Sequence, residues 1–323
     1  MGERFHHPVK FQIVLAAGAV VTLLLVFTAW SYSHQSATIV LGGDLMLARD
    51  GKPIFADHSA FGDALPVIQQ ADLAIANLES PLTSTYHNVK TGLAYNLCSP
   101  SSEVEVLREA GFDLLSIENN HKEDCSVGGE TETAGLLQAA GIIAAAASEE
   151  PAIAKVNGIK VAVIAGEDIT QHLDLEKLRI AIEKVRKTAE LVIVSLHWGN
   201  EYQAGPDGQQ METAQYLSDA GADVIWGHHP HVLQRMEWLQ STDKEHRTLV
   251  IYSLGNLLSD QNMTDDVRRE ALIKFRVRRG RIMAIEVIPL IREITGSQLK
   301  TAVGQDRQSI LNRLRWNEII NQN

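Results

Sequence analysis

GADVIWGHHPHVLQ, residues 221–234, is the stretch on which the reading of this chain turns. Its apolar run 222–226 has the length and composition of a buried strand. That run delivers three imidazoles, His228, His229 and His231, within four positions, with Pro230 stiffening the turn between them. Imidazole is the commonest nitrogen ligand for transition metals. On an extended backbone His229 and His231, two apart, share a face. A lone histidine usually means no more than a hydrogen-bonded or surface residue. Here four other apolar runs also end in donors: Asp44, the segment from Asn77 to Glu79, Asn120 with His121, and His197. Five such ends predict strands that converge on one metal centre.

Outward from that stretch, the apolar periodicity predicts strands at 38–42, 72–76, 112–117, 191–196, 222–226 and 248–253. Helices are expected at 62–70, 101–110, 131–140, 173–188 and 209–220. Asn157–Gly158 and Arg279–Gly280 each separate two strand-like runs and read as hairpin turns. The tail, 306–320, reads as one amphipathic helix. Strands alternate with helices early and hairpins follow late, which argues for a layered α/β fold with a mixed sheet. Donors at the C-terminal ends of strands lie where α/β folds place their sites.

Residues 11–30 carry no charge, and as a helix they would rise about 30 Å, enough for a bilayer core. Arg4 and Lys10 precede the run, and nothing charged follows until Asp44. The positive-inside rule then puts a tail, 1–10, in the cytoplasm and the bulk of the chain outside. The expected organisation is a signal anchor at 11–32, a polar linker at 33–37 and one domain at 38–323, in a single-pass protein of the cell membrane. A cleaved signal peptide is the rival, but its apolar region would run only about 7–15 residues. The chain has 323 residues, of which 45% are hydrophobic, ample for a full core, and its net charge of −11 argues against a nucleic-acid surface. Cys98 and Cys125 both lie close in sequence to candidate site loops, and outside the membrane they are expected to pair.

Asp44 and Glu79 offer anionic oxygens, Asn120 a carbonyl oxygen, and His197, His229 and His231 nitrogens. Such a mixed set suits zinc, manganese or iron better than magnesium or calcium. One or two ions are expected; two, about 3.5–4 Å apart, would clamp both oxygens of a displacement. His121 is placed to protonate a leaving group, and the planar fork of Arg49 to hold a phosphate or carboxylate. Each also has a plainer reading. Asp44, Asn77, Asn120 and Asn256 suit turns, Glu79 an exposed loop, Arg49 a surface ion pair and Trp198 simple packing.

GGDLMLAR (42–49), ANLESPLT (76–83), NNHKED (119–124), HWGNEY (197–202), the opening stretch and YSLGNLL (252–258) together resemble the bacterial capsule-synthesis CapA family. That family is linked to poly-γ-glutamate production and lies within the calcineurin-like metallophosphoesterase superfamily. The resemblance spans roughly 38–290. It implies a four-layer α/β/β/α sandwich of two mixed sheets, metallophosphatase-like, behind the one transmembrane helix. Carried onto this chain, the superfamily's metal ligands become Asp44, Glu79, Asn120, His197, His229 and His231. Asn77 competes with Glu79 for the second motif's role, and Glu79 is preferred because it is anionic. Met46 stands where the superfamily usually has a histidine, which leaves one metal position short of a ligand. His121 and Arg49 are the expected catalytic residues. Arg49, Asn77, His228 and Asn256 are the expected substrate contacts. The activity implied is hydrolysis or transfer of a γ-glutamyl amide on an anionic polymer such as poly-γ-glutamate, or on a small substrate, with synthesis or export proteins as partners. A phosphoesterase and a non-catalytic polymer-binding or export subunit are the alternatives.

Overall fold

The computed structural model describes residues 35–85, 96–146, 150–293 and 298–322. Its principal strands are β1 (Ser36–Leu45), β2 (Leu73–Leu78), β3 (Leu114–Ser116), β4 (Ile143–Ala145), β5 (Ala152–Val156), β6 (Ile159–Glu167) and β7 (Leu191–His197). They continue as β8 (Val224–His228), β9 (Met236–Gln240), β10 (Arg247–Ile251), β11 (Asn256–Leu258), β12 (Arg269–Arg278), β13 (Arg281–Arg292) and β14 (Leu299–Thr301). The helices are α1 (Leu65–Gln69), α2 (Val104–Ala110), α3 (Gly129–Ala139), α4 (Leu175–Val185), α5 (Gly208–Asp219), α6 (Gly304–Arg313) and α7 (Trp316–Ile320).

These strands form two mixed sheets. The first runs β14-β13-β12-β1-β2-β3-β4, with β11 joining the end of β1. It is parallel from β1 to β4 and antiparallel from β1 out to β14. The second runs β9-β10-β8-β7-β6-β5, with four parallel strands between antiparallel edges. Alternation along each strand sends side chains to opposite faces. Ile39 and Leu41 of β1 therefore pack with Ile193, Trp226 and Ile251 between the sheets, while Val40 packs with Leu107 and Leu137 of α2 and α3. On the far side, Val192 and Val194 meet Leu178 and Ile182 of α4 and Leu217 of α5. The layers are thus helix, sheet, sheet, helix. Because the central strands of both sheets are parallel, their C-terminal ends emerge at one edge, and the candidate ligands sit there.

Several expectations need correction. Ser36 and Ala37 already pair with Arg278 and Val277, so the linker cannot extend to residue 37. β1 also runs on through Gly43 and Asp44 to Leu45, past its expected end at residue 42. A Cβ on Gly43 would lie 2.1 Å from the carbonyl oxygen of Gly255. Glycine there lets β11 close onto β1, and the Asp44 N–H donates to that same carbonyl at 2.9 Å. The helix expected at 62–70 is a 3-10 turn over His58–Ala64 followed by α1, broken at Gly62, whose φ is +47°. The tail is two helices, because Arg315 adopts the left-handed conformation, φ +52°. Its apolar residues Ile310, Leu314 and Ile319 close one side of the core between the sheets. Both hairpins are present, with positive φ at Asn157–Gly158 and at Arg279–Gly280. β4, β9, β11 and β14 were not read from the sequence. Among the described residues no helix is long and apolar enough to cross a membrane, and the segment expected to do so, 11–32, lies outside them.

Cys98 and Cys125 are bonded, with Cα atoms 4.8 Å apart and a sequence separation of 27. The bond fastens the end of the turn 119–125 to the chain before α2, and Asp124 beside it accepts from the Leu97 N–H at 2.9 Å. A closed loop of this length contributes about 3 kcal/mol by restricting the unfolded chain. The double variant Cys98→Ser, Cys125→Ser is expected to lose about that much stability in urea unfolding; an unchanged midpoint would show that the bond contributes nothing.

Candidate metal centre

Asp44 ends β1 and is fully buried. Its Oδ1 accepts from Asn77 Nδ2 at 2.8 Å, and its Oδ2 accepts from the backbone N–H of His229 at 3.1 Å. His231 Nδ1 lies 3.3 Å from the same oxygen. Glu79 follows β2 and is also fully buried. Its Oε1 lies 3.6 Å from His197 Nε2, 3.8 Å from His231 Nε2 and 3.9 Å from His121 Nε2. His229 Nδ1 stands 3.1 Å from His197 Nε2. The first sheet therefore supplies the carboxylates and the second the imidazoles. The ligand atoms of Asp44, His197 and His228 fall within 4.8 Å of one another, and so do those of Glu79, His229 and His231.

His229 and His231 do not share the face of an extended run, as the sequence suggested. Both are left-handed, with φ +98° and +56°. A tight turn around Pro230 brings their rings within 5.8 Å. Such backbone is unfavourable for non-glycine residues and persists where its surroundings impose it, commonly at functional sites.

Behind the imidazoles lies a buried relay. Ser195 Oγ donates to Ser116 Oγ at 2.9 Å and lies 2.7 Å from His228 Nε2. His228 Nδ1 lies 2.9 Å from His197 Nδ1. Assigning protons from this network, Ser195 accepts from His228 Nε2–H, so His228 Nδ1 accepts from His197 Nδ1–H. His197 Nε2 is then left with its lone pair facing Glu79 and His229. At the rim, His121 Nδ1 lies 2.8 Å from Asp124 Oδ2, and the His121 side chain remains 18% exposed. Asp124 as acceptor fixes the proton on Nδ1 and leaves Nε2 toward the centre.

Four expected substrate contacts need correction. Asn77, His228 and Asn256 are wholly buried. Asn77 orients Asp44, His228 orients His197, and Asn256 Nδ2 donates to Gln261 Oε1 and the Val267 carbonyl. Asp260 occupies the Nε–Nη2 edge of Arg49, at 2.6–2.7 Å, so the fork suggested by the sequence is engaged in an ion pair. Asn120 is half-buried on the turn between Asn119 and His121. Sequence reasoning missed Asp124, Ser195 and Ser116. A serine within the apolar run 191–196, two residues before His197 and so on its face, was the available signal for one of them.

The electrostatics test whether an ion fits. Burial, with the charge of Asp44 adding to it, pushes Glu79 up to about 7 against the pull of His231. Burial lowers His231, but Glu79 and then Asp44 more than offset it and bring it up to about 9. Burial holds His228 down at about 4 and, with His231 beside it, His229 at about 3. His197 falls well below its usual range through burial and the neighbouring imidazoles. Asp44 stays below its usual range because His231 outweighs burial. Among the described residues neither oxygen of Glu79 has a hydrogen-bond partner. A buried carboxylate without hydrogen bonds is costly. Ligand atoms on an ion with bonds of about 2.0–2.2 Å stand roughly 3–3.6 Å apart. The gaps around Glu79 are close to that span and too long for hydrogen bonds, so the residues fit a divalent ion.

Residues 38–261 match the family described as bacterial capsule synthesis protein PGA_cap. The chain is 29% identical over 294 residues to the "PGA biosynthesis protein CapA" of Bacillus subtilis (strain 168), covering 84% of this chain and 76% of that protein. It is likewise 29% identical over 303 residues to the "Capsule biosynthesis protein CapA" of Bacillus anthracis, covering 85% and 72%. A solved structure of a hypothetical protein from Thermus thermophilus superposes with a TM-score of 0.50 at 17% identity, over 79% of this chain and 100% of that one. At that identity the likeness concerns the fold.

A metal must displace the protons on Glu79 and His231, whereas His197, His228 and His229 are already neutral at pH 6. Affinity for Mn²⁺ or Zn²⁺ is therefore expected to rise with pH from 6 and level off above about 9, with about one to two protons released at pH 6 and fewer at pH 8. Calorimetry in buffers of different ionisation enthalpy counts those protons. His229→Ala should hold at least about tenfold less metal by elemental analysis; equal loading would remove His229 from the ligand set.

Proposed function

The chain belongs to the bacterial capsule synthesis protein family, within the calcineurin-like phosphoesterase superfamily, and from that premise we propose a membrane-anchored, metal-dependent enzyme of capsule or poly-γ-glutamate metabolism that hydrolyses or transfers a γ-glutamyl amide. Family membership and the CapA relatives support the capsule-related role. The observation that carries metal dependence is the Glu79 carboxylate, buried without a hydrogen-bond partner among the described residues and facing three imidazole nitrogens.

Asp44, Glu79, His197, His229 and His231, with Asn120 beside them, would hold manganese, zinc or iron. When bound, the ion supplies Lewis acidity toward a carbonyl or phosphoryl oxygen. Asn77 and the His229 N–H fix both oxygens of Asp44. His121, its Nδ1–H held by Asp124, turns Nε2 toward the centre, and in its imidazolium form it donates the Nε2 proton to the leaving amine, because an amine departs poorly as its anion. The superfamily favours a second reading, a phosphoesterase, in which the same proton serves a leaving oxygen. A polymer-binding subunit without turnover is the remaining outcome. The purified protein, incubated with Mn²⁺ and either γ-glutamyl oligomers or chromogenic phosphoesters, separates the three. Cleavage of the phosphoesters alone would replace the amide reading with the second.

The apolar run 11–30 behind Arg4 and Lys10 supports an N-in anchor, and the Cys98–Cys125 bond suits the oxidising exterior. A reporter fused after Asn323 is expected to be active only outside the cytoplasm.

His121→Ala is expected to keep its metal and lose about 10²–10⁴-fold in kcat. Asp124→Asn should keep metal and lower kcat, because it removes the carboxylate that orients the His121 ring. Loss of metal in His121→Ala would make His121 a ligand instead.

A further inference from the structure

A second cavity, of about 510 Å³, lies between the loop at 204–206, the chain just after His231 and the tail helices. Four guanidinium groups line it, those of Arg235, Arg269, Arg313 and Arg315, against one lining carboxylate, Asp266. In a chain of net charge −11 this concentration does not follow from composition. Asp266 is shared, at 3.1 Å from Arg269 and 2.9 Å from Arg313. Arg269 is further held by Asp306 at 2.9 Å. These two arginines build the wall.

The other two lie outside the Asp266 group. Arg235 lies with its guanidinium 5.0 Å from the Tyr252 ring centre, fixed by stacking, while its buried Nε has no hydrogen-bond partner among the described residues. Its nearest carboxylate, Glu237, is 3.3 Å from Nη2. Among the described residues Arg315 has only Glu318, at 3.7 Å, and half of its side chain is exposed. It also sits at φ +52°, where glycine or asparagine would be less strained. Its side chain is thus carried on the wall of the cavity at the break between the two tail helices.

The cavity adjoins the metal centre. Tyr202 packs its ring 6.0 Å from that of His231, and its N–H donates to the Pro230 carbonyl at 2.9 Å. The same loop then forms the wall at 204–206, and Leu233, two residues after His231, also lines the cavity. Guanidinium forks bind carboxylates in their plane.

We propose that this arginine cavity is a polycarboxylate subsite, which holds the carboxylates of a chain whose reacting amide lies at the metal centre. The part concerning the amide rests on the γ-glutamyl reading above. The subsite selects long chains over short ones and leaves the chemistry at the centre unchanged.

Titration calorimetry of the whole protein tests this with a γ-glutamyl dimer, a γ-glutamyl decamer and an α-linked glutamate decamer, each against wild type and Arg235→Gln/Arg315→Gln. The decamer should bind wild type at least about tenfold more tightly than the dimer, and the double variant should lose that advantage. Dimer binding and metal content should not change. Added salt should weaken the decamer more than the dimer. A decamer that binds wild type no better than the dimer, or binds both proteins equally, overturns the subsite. Arginine-dependent binding of the decamers without cleavage of any γ-linkage leaves the subsite standing and removes the function reading. If the double variant melts several degrees lower, Arg315→Gln alone decides, since half of its side chain is exposed.

Discussion

A fully buried carboxylate with no hydrogen-bond partner among the described residues is the constraint around which this structure is arranged. Glu79 is completely buried, and neither of its oxygens finds a donor among the described residues. In water such a group would be fully solvated; here it meets imidazole nitrogens at distances too long to count as hydrogen bonds. Asp44 lies close enough to raise its pKa further. The protein alone answers this by keeping a proton on the pair formed by Glu79 and His231, whose shifts run in the same direction for that reason. A divalent cation answers it better, because it offsets both carboxylates at once.

Bringing the groups together depends on two close backbone approaches, one within each sheet. At the end of β1, Gly43 lets the Gly255 carbonyl come close enough to bond the Asp44 N–H. At the end of β8, a Cβ on Gly227 would lie 2.0 Å from the Tyr252 carbonyl oxygen, which accepts from the Trp198 indole at 2.9 Å. Trp198 is therefore a packing residue that locks the strand end next to His197. Both carbonyls belong to the segment just after β10. One short stretch, 252–255, thus clamps the carboxylate strand and the histidine strand together.

The sequence made legible what repeats. Apolar runs ending in donors disclosed the strands and their chemistry, because each ligand is covalently close to a strand that hydrophobicity marks. Asn-Gly and Arg-Gly disclosed the hairpins, because only certain residues tolerate φ > 0 there. Arg315 hid the break in the tail for the same reason, since nothing in its identity announces a left-handed residue. β9 was hidden because three of its five residues are only half-buried, so its pattern carries no clear alternation. Asn77 and His228 border Asp44 and His197, but polarity does not reveal which way a side chain turns. Asp260, which occupies the Nε–Nη2 edge of Arg49, lies 211 residues away in the chain, and no local rule could pair them.

The same distinction bears on how the centre is tuned. His197 has two ring nitrogens, and only Nε2 presents its lone pair to Glu79 and the ion. The partner of Nδ1 is not a carboxylate or a carbonyl but a second imidazole, His228, held in turn by Ser195. A neutral relay cannot raise the basicity of His197 as an anion would. It fixes the tautomer without adding charge to a pocket that already holds two carboxylates. With an anion in place of His228, the interior would carry a third negative charge that one ion could not balance. The neutral imidazole therefore suits a centre that already has as many carboxylates as a single divalent cation can offset, and it makes the buried serine–histidine pair as much a part of the metal site as the ligands it aligns.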